Sequence, residues 1–191
     1  MSKIPTREEA YDLLCEFNKT DSLIKHALAV EAVMRHFAAL YGEDTDKWGI
    51  IGLIHDLDYE MYPKEHCKKT EEIMRERDID PEYIHAVISH GYGMCCDVEP
   101  VHKMEKVLYT IDELTGLINA VCLMRPSKSV LDVELKSIKK KFKSPGFAAG
   151  VNREVISKGC DMLGCDLDFI ITETIEGMKE AAEAIGLKGG L

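Results

Sequence analysis

The chain has 191 residues, 46% of them hydrophobic, enough to bury one sizeable core without disulfides or a structural metal. Its formal charge of -10, from 24 Lys+Arg against 34 Asp+Glu, argues against a broad polyanion-binding surface and so against duplex nucleic acid, while leaving room for a small basic pocket around one phosphate. The amino terminus has no apolar signal core and no run approaches the roughly 20 apolar residues of a membrane span, so a cytoplasmic protein without a membrane partner is expected.

The first helix is announced by Thr6-Arg7-Glu8-Glu9, a capping-box pattern, and should run to about Asn18. Asp21-Ser22 offers a second cap, after which Leu23, Ala27, Val30, Val33, Phe37 and Leu40 recur at helical spacing until Gly42. A third helix begins near Asp46 and runs through Trp48 to Ile54, delivering His55-Asp56 at its carboxyl end, with Pro63 marking a turn. Residues 66–77 read as helix, and Asp80-Pro81 caps another that reaches His90-Gly91 before a glycine-bearing loop through Cys95-Cys96. The stripe Val101, Met104, Val107, Leu108, Ile111, Leu114, Thr115 and Ile118 marks the next helix, and further helices are expected over 130–142, 153–163 and 167–185. No alternating strand and no internal repeat is present. The expectation is an all-α fold, a single domain over 1–191 with its chemistry in about 20–120 and a helical extension over about 125–191.

Seven cysteines without C-x-x-C spacing read as reduced core thiols, with adjacent Cys95-Cys96 the pair open to chance oxidation.

Several polar residues fall where the pattern calls for apolar ones. His26 shares a face with Ala29, Val30, Val33 and Phe37, where a lone histidine is ordinarily a hydrogen-bonded core residue. Asp112 lies on the stripe with Leu108, Ile111 and Thr115, and a buried carboxylate costs several kcal/mol unless a cation or donors meet it. If these two helices pack with the third, two imidazoles and two carboxylates converge. Mixed nitrogen and oxygen donors suit manganese, ferrous iron, zinc or magnesium in a site open to water.

The order His26, then His55-Asp56 together, then helix-borne Asp112, with "KVLYTIDELTGLI" and "HAVISHGYG" around the later positions, resembles the HD superfamily of metal-dependent phosphohydrolases over most of the chain to about residue 120. The resemblance implies an HD-type helical bundle in which His26, His55, Asp56 and Asp112 hold one metal. Two-metal members add two histidines, and His66 and His90 fall at those places; the text "HCKKTEEIMRERDIDPEYIHAVISHGYG" is similar to HD hydrolases that cleave dinucleoside polyphosphates. One or two divalent ions (Mn, Fe, Zn, Mg, Ni or Co) are therefore expected, acting on a nucleotide or other small phosphate ester through a metal-activated water. His36, His85 and His102 have no counterpart in the pattern and read as surface or half-buried.

Many HD proteins follow the pair with glycine and lysine, but Asp58 and Tyr59 stand here, so the lysine's role as a phosphate-facing cation falls elsewhere or to nothing. Asp58 joins Asp56 and Asp112 as a catalytic candidate. It is compatible with orienting His55, with bonding a metal-bound water, or with capping a turn. In "KKKFKSPGFAAGVNREVI" a glycine-bearing turn is flanked by cations, which marks Lys140, Lys143 and Arg153 as candidate substrate-binding residues beside the plainer reading of a solvated basic face. Two alternatives stay open: an HD-fold di-iron oxygenase and a non-catalytic nucleotide-binding regulatory module.

Overall fold

Helix α1 (Arg7–Phe17) starts where its capping box dictates: Thr6 Oγ1 accepts from the Glu9 amide at 3.2 Å, and Glu9 Oε2 accepts from Thr6 N at 2.9 Å. The computed structural model describes residues 2–190; Met1 and Leu191, the ends of the expected domain, lie outside them. Among the described residues there are nine α-helices and no strand, so the all-α expectation holds.

Helix α2 (Asp21–Tyr41) begins differently from expectation. Its N-cap is Thr20 and carries no side-chain capping bond. The carboxylate of Glu60, from the loop after the third helix, instead accepts from Lys19 N at 2.7 Å, Thr20 N at 3.0 Å and the Thr20 hydroxyl at 2.9 Å. An anion at a helix amino terminus answers the exposed amides and the helix dipole. Gly42 ends α2 in the left-handed region at φ 71.

Helix α3 (Thr45–Leu53) is capped by Asp44 and packs tightly on α2. Gly52 sets that approach, because a Cβ there would lie 2.9 Å from Met34 Cγ and 3.1 Å from the Val30 carbonyl oxygen. The close crossing carries the residues after α3 up to α2.

After a 3-10 turn at Pro63–Glu65, α4 (Lys68–Glu76) starts later than expected, because Cys67 takes φ 67 and leaves His66 outside the helix. Helix α5 (Pro81–Ile88) follows its Asp80 cap and leads into the 3-10 turn Ser89–Gly91. The central helix is α6 (Lys103–Met124), followed by α7 (Leu135–Phe142), α8 (Arg153–Leu163) and α9 (Leu167–Glu180). The expected helices over 130–142 and 167–185 are shorter at one end: 130–134 and 181–186 hold turns.

One hydrophobic cluster runs from Ala10 to Leu187, with α6 in contact with α2, α7, α8 and α9. The expectation that no segment has the length and apolarity of a membrane span is corrected at α6, which has both. Yet 61% of its most apolar window is buried inside the bundle, the position of a core helix.

The three histidines outside the pattern have local partners. His102 Nδ1 accepts from Met104 N and caps α6, and His85 Nδ1 lies 2.8 Å from Glu105 Oε1. His36 joins α2 to α9, its two nitrogens 2.8 Å from Glu173 Oε2 and 2.9 Å from Glu180 Oε1. Burial lowers its pKa, but the two carboxylates outweigh burial and raise it above 6.5. A histidine with a raised folded pKa stabilises fully below its unfolded pKa, and that contribution disappears as pH rises through the folded value. Urea midpoints of wild type and His36→Gln should therefore differ most near pH ~5.5 and converge by pH ~9; a constant gap across that window would rule the linkage out.

Candidate metal centre

Local backbone geometry aims three imidazoles before any ligand is considered. His55 Nδ1 donates to the Gly52 carbonyl at 2.8 Å, His90 Nδ1 to the Val87 carbonyl at 2.6 Å, and His66 Nδ1 to Asp58 Oδ1 at 2.7 Å. With the protons on Nδ1, each Nε2 turns a lone pair inward.

Asp56 stands between them with its two oxygens facing two groups. Oδ2 lies 3.3 Å from His55 Nε2 and 3.9 Å from His26 Nε2, whereas Oδ1 lies 3.4 Å from His90 Nε2 and 3.6 Å from His66 Nε2. Asp112 Oδ1, from the middle of α6, is 2.9 Å from His26 Nε2 and 3.3 Å from His55 Nε2. Two histidine–aspartate donor sets result, His26, His55, Asp56 and Asp112 in one and Asp56, His66 and His90 in the other, beside a third group of His66, Cys67 and Cys95, and in each the donor atoms lie within 4.8 Å of one another. Ligand bonds of about 2.0–2.2 Å place opposite donors about 4 Å apart, so each set can surround one ion.

The chemistry of the sets calls for cations. His55 Nε2 and Asp56 Oδ1 are buried polar atoms without a hydrogen-bond partner. His66 Nε2 and His90 Nε2 face each other at 3.2 Å, a contact that needs either a shared proton or a metal ion between the two nitrogens. The field says the same. Burial alone would raise the Asp56 and Asp112 pKa values, yet the adjoining imidazoles hold both carboxyls below the usual range. Burial lowers the His66 pKa, but the Asp58 bond and the Asp56 charge lift it to about 9. No protein-family model, curated protein or solved structure matches the chain. The site therefore rests on its own geometry.

All six expected metal ligands, His26, His55, Asp56, His66, His90 and Asp112, meet here. Five of them, all but the fully buried His55, edge a cavity of about 460 Å³ that is also walled by Leu23, Tyr59, Met94, Cys95, Glu113 and Gly150. A second cavity of about 230 Å³ adjoins it through His26 and Gly116.

Asp58 does not stand where any of its three expected roles needs it. It is fully buried; one oxygen holds His66, not His55, and the other accepts from Thr70 N at 2.9 Å at the start of α4. It positions a ligand and does not reach the cavity, which corrects its placement among catalytic candidates. Arg153 is also corrected. Its guanidinium donates to the carbonyls of Phe142, Ala148, Val151, Lys141, Ser144 and Phe147, so its donors are committed to the end of α7 and the loop between α7 and α8. Lys140 and Lys143 line a separate surface depression on α7 with Leu135, Lys136 and Lys139. None of the three borders the metal cavity.

Two supports carry no sequence signal. Buried Asn18, at the end of α1, donates through Nδ2 to the carbonyls of Asp56 at 3.4 Å and Leu57 at 3.3 Å, fixing the ligand turn from behind. Glu60 fastens the same turn to the start of α2, the helix that carries His26. Glu113 could have been suspected from its place beside Asp112. It lines the cavity, and its pKa is raised by burial and by the neighbouring Asp112 and Asp56 charges.

Proposed function

We propose that this protein is an HD-type metal-dependent phosphohydrolase acting on a nucleotide or another small phosphate ester. The observation that carries the reading is the division of Asp56, one oxygen toward His26 and His55 and the other toward His66 and His90. A carboxylate shared in this way suits two divalent ions side by side, His26, His55, Asp56 and Asp112 holding one and Asp56, His66 and His90 the other. Such ions supply Lewis acidity toward phosphoryl oxygens and lower the pKa of water at neutral pH.

The chain's own part is positioning. Asp58 fixes the His66 tautomer, the Gly52 and Val87 carbonyls fix His55 and His90, and Asn18 holds the Asp56 backbone. Tyr59 sets its ring edge-on to His66, with ring centres 5.4 Å apart, and forms one wall. Lining by Leu23, Met94 and Tyr59 suits the organic part of a phosphate ester.

No Lys or Arg lines the cavity among the described residues, so cations held by the donor sets must meet the charge of a phosphate. That same observation favours one second reading, a di-iron oxygenase, for which a phosphate-facing lysine is unnecessary. Elemental analysis of the purified protein, paired with phosphate release from a nucleotide panel under air and without oxygen, decides between them. Metal near two equivalents with oxygen-independent phosphate release supports the phosphohydrolase; iron with oxygen consumption and no phosphate release supports the oxygenase; tight nucleotide binding without turnover supports a regulatory module.

Asp58→Ala frees the His66 ring while leaving the first donor set intact. Loss of an outer partner typically costs about 10- to 100-fold in metal affinity, so the variant should fall from two equivalents toward one under gel filtration. Retention of both would detach Asp58 from ligand control.

A further inference from the structure

A pair of thiols lies beside the second donor set, Cys67 packed into the core and Cys95 at the cavity, and with His66 it brings a third group of donor atoms together. Cys67 Sγ and Cys95 Sγ approach to 2.7 Å, although the residues are 28 positions apart. Cys67 reaches this place through a backbone conformation rare for a side-chain-bearing residue, φ 67 and ψ -47, and offers no capping bond to α4 in return. Cys95 is set by a tight turn in which the amides of Met94 and Cys95 both donate to the Gly91 carbonyl at 3.0 Å. Gly91 leaves the room: a Cβ on it would overlap both sulfurs.

The arrangement is asymmetric. Cys67 is buried, whereas Cys95 is exposed and lines the metal cavity. Cys96, the sequence neighbour with which Cys95 was expected to pair by chance, has its thiol 3.2 Å from the Ile88 carbonyl and is engaged there. The thiol that Cys95 touches is therefore Cys67, distant in sequence, and not its neighbour Cys96.

We propose that Cys67 and Cys95 are a site of reversible oxidation, which a peroxide converts to an intramolecular disulfide at the rim of the metal cavity. The Cys95 sulfur attacks one peroxide oxygen, the O–O bond breaks, and the departing oxygen leaves as water, giving a sulfenic acid at Cys95. The Cys67 sulfur then attacks the Cys95 sulfur and expels the second oxygen as water. Two thiols are oxidised by two electrons and one peroxide is reduced to two waters. The cross-link ties the cavity lip at Cys95 to the residue after His66. The inference rests on the thiol geometry and stands apart from the phosphohydrolase reading.

The test uses the full chain, reduced, freed of reductant and kept in magnesium, an ion that prefers oxygen ligands and leaves thiols alone. After one equivalent of hydrogen peroxide, two of the seven thiols should be lost and recovered with dithiothreitol. Non-reducing peptide mapping should join tryptic peptide 65–68, which holds Cys67 alone, to peptide 78–103. Since that second peptide contains both Cys95 and Cys96, the map is repeated on Cys96→Ser, where the same link should persist. In Cys67→Ser, oxidation should stop at Cys95 and a dimedone adduct should accumulate there. A Cys95–Cys96 bond, a Cys160–Cys165 bond, or a Cys67 still alkylated by iodoacetamide after two thiols have gone would each overturn the proposal.

Discussion

Asp56→Ala is expected to remove both metals in one step. Asp56 is the one residue shared by the two histidine–aspartate sets, so its loss leaves His66 and His90 without their carboxylate and weakens the His26, His55 and Asp112 group as well. Metal content should fall from about two equivalents to a small fraction of one, and turnover by about 1,000-fold or more, the equivalent of roughly 4 kcal/mol of lost charge stabilisation. His26→Ala is the contrast: it touches one set and should leave close to one equivalent. Elemental analysis, turnover and circular dichroism on the same preparations separate these outcomes. A folded Asp56→Ala protein that keeps two metals would end the assignment of this centre.

Arg153→Ala is expected to unfold the protein more easily rather than weaken substrate binding. Its guanidinium collects six backbone carbonyls, two from the end of α7 and four from the loop between α7 and α8, and those acceptors lose their charged donor together. Hydrogen bonds to a charged group contribute about 1.5–3 kcal/mol each but are far from additive, so a loss of about 3 kcal/mol is expected in urea unfolding. Arg153→Lys should recover little, because a single ammonium cannot serve carbonyls spread around a planar fork. KM should stay within about twofold of wild type, well under the tenfold change that 1.4 kcal/mol of lost binding produces. A wild-type urea midpoint with a raised KM would return Arg153 to the substrate.

The all-helical architecture was legible because its signals are local. Thr6 with Glu9, Asp80 before Pro81, and the apolar spacing along α2 and α6 each act within a few residues. Asp112 was legible as a candidate ligand for a related reason, since a carboxylate on an apolar face needs a compensating partner elsewhere in the fold, whereas His66 and His90 were marked only by the resemblance to HD proteins. What stayed hidden was supplied from a distance. Thr20 rather than Asp21 begins α2 because Glu60 arrives from another segment, and Asn18 looks like an ordinary helix end until the Asp56 carbonyl is brought to it. Arg153 misled for the opposite reason. A cation beside glycines suits a phosphate, and nothing in the sequence says that six carbonyls will claim it first. Cys67 and Cys95 escaped because spacing along the chain, on which disulfide and metal motifs are read, says nothing about two turns that fold face to face.

The candidate ligands of the first set run from residue 26 to residue 112 and those of the second from 56 to 90, so each set is closed by contacts between distant segments. The first set exists only once α2, the turn after α3 and α6 have docked, and the second only once the turn after α3 meets His66 and the turn after α5, so an unfolded chain offers only scattered imidazoles and carboxylates to an ion. Occupancy is thereby a reward for the finished fold: at free metal about 100 times its dissociation constant, one site adds roughly 2.7 kcal/mol to the native state alone. On the proposed reading, the concentration of free divalent metal would therefore set how much of the chain stays folded as well as how fast it turns over.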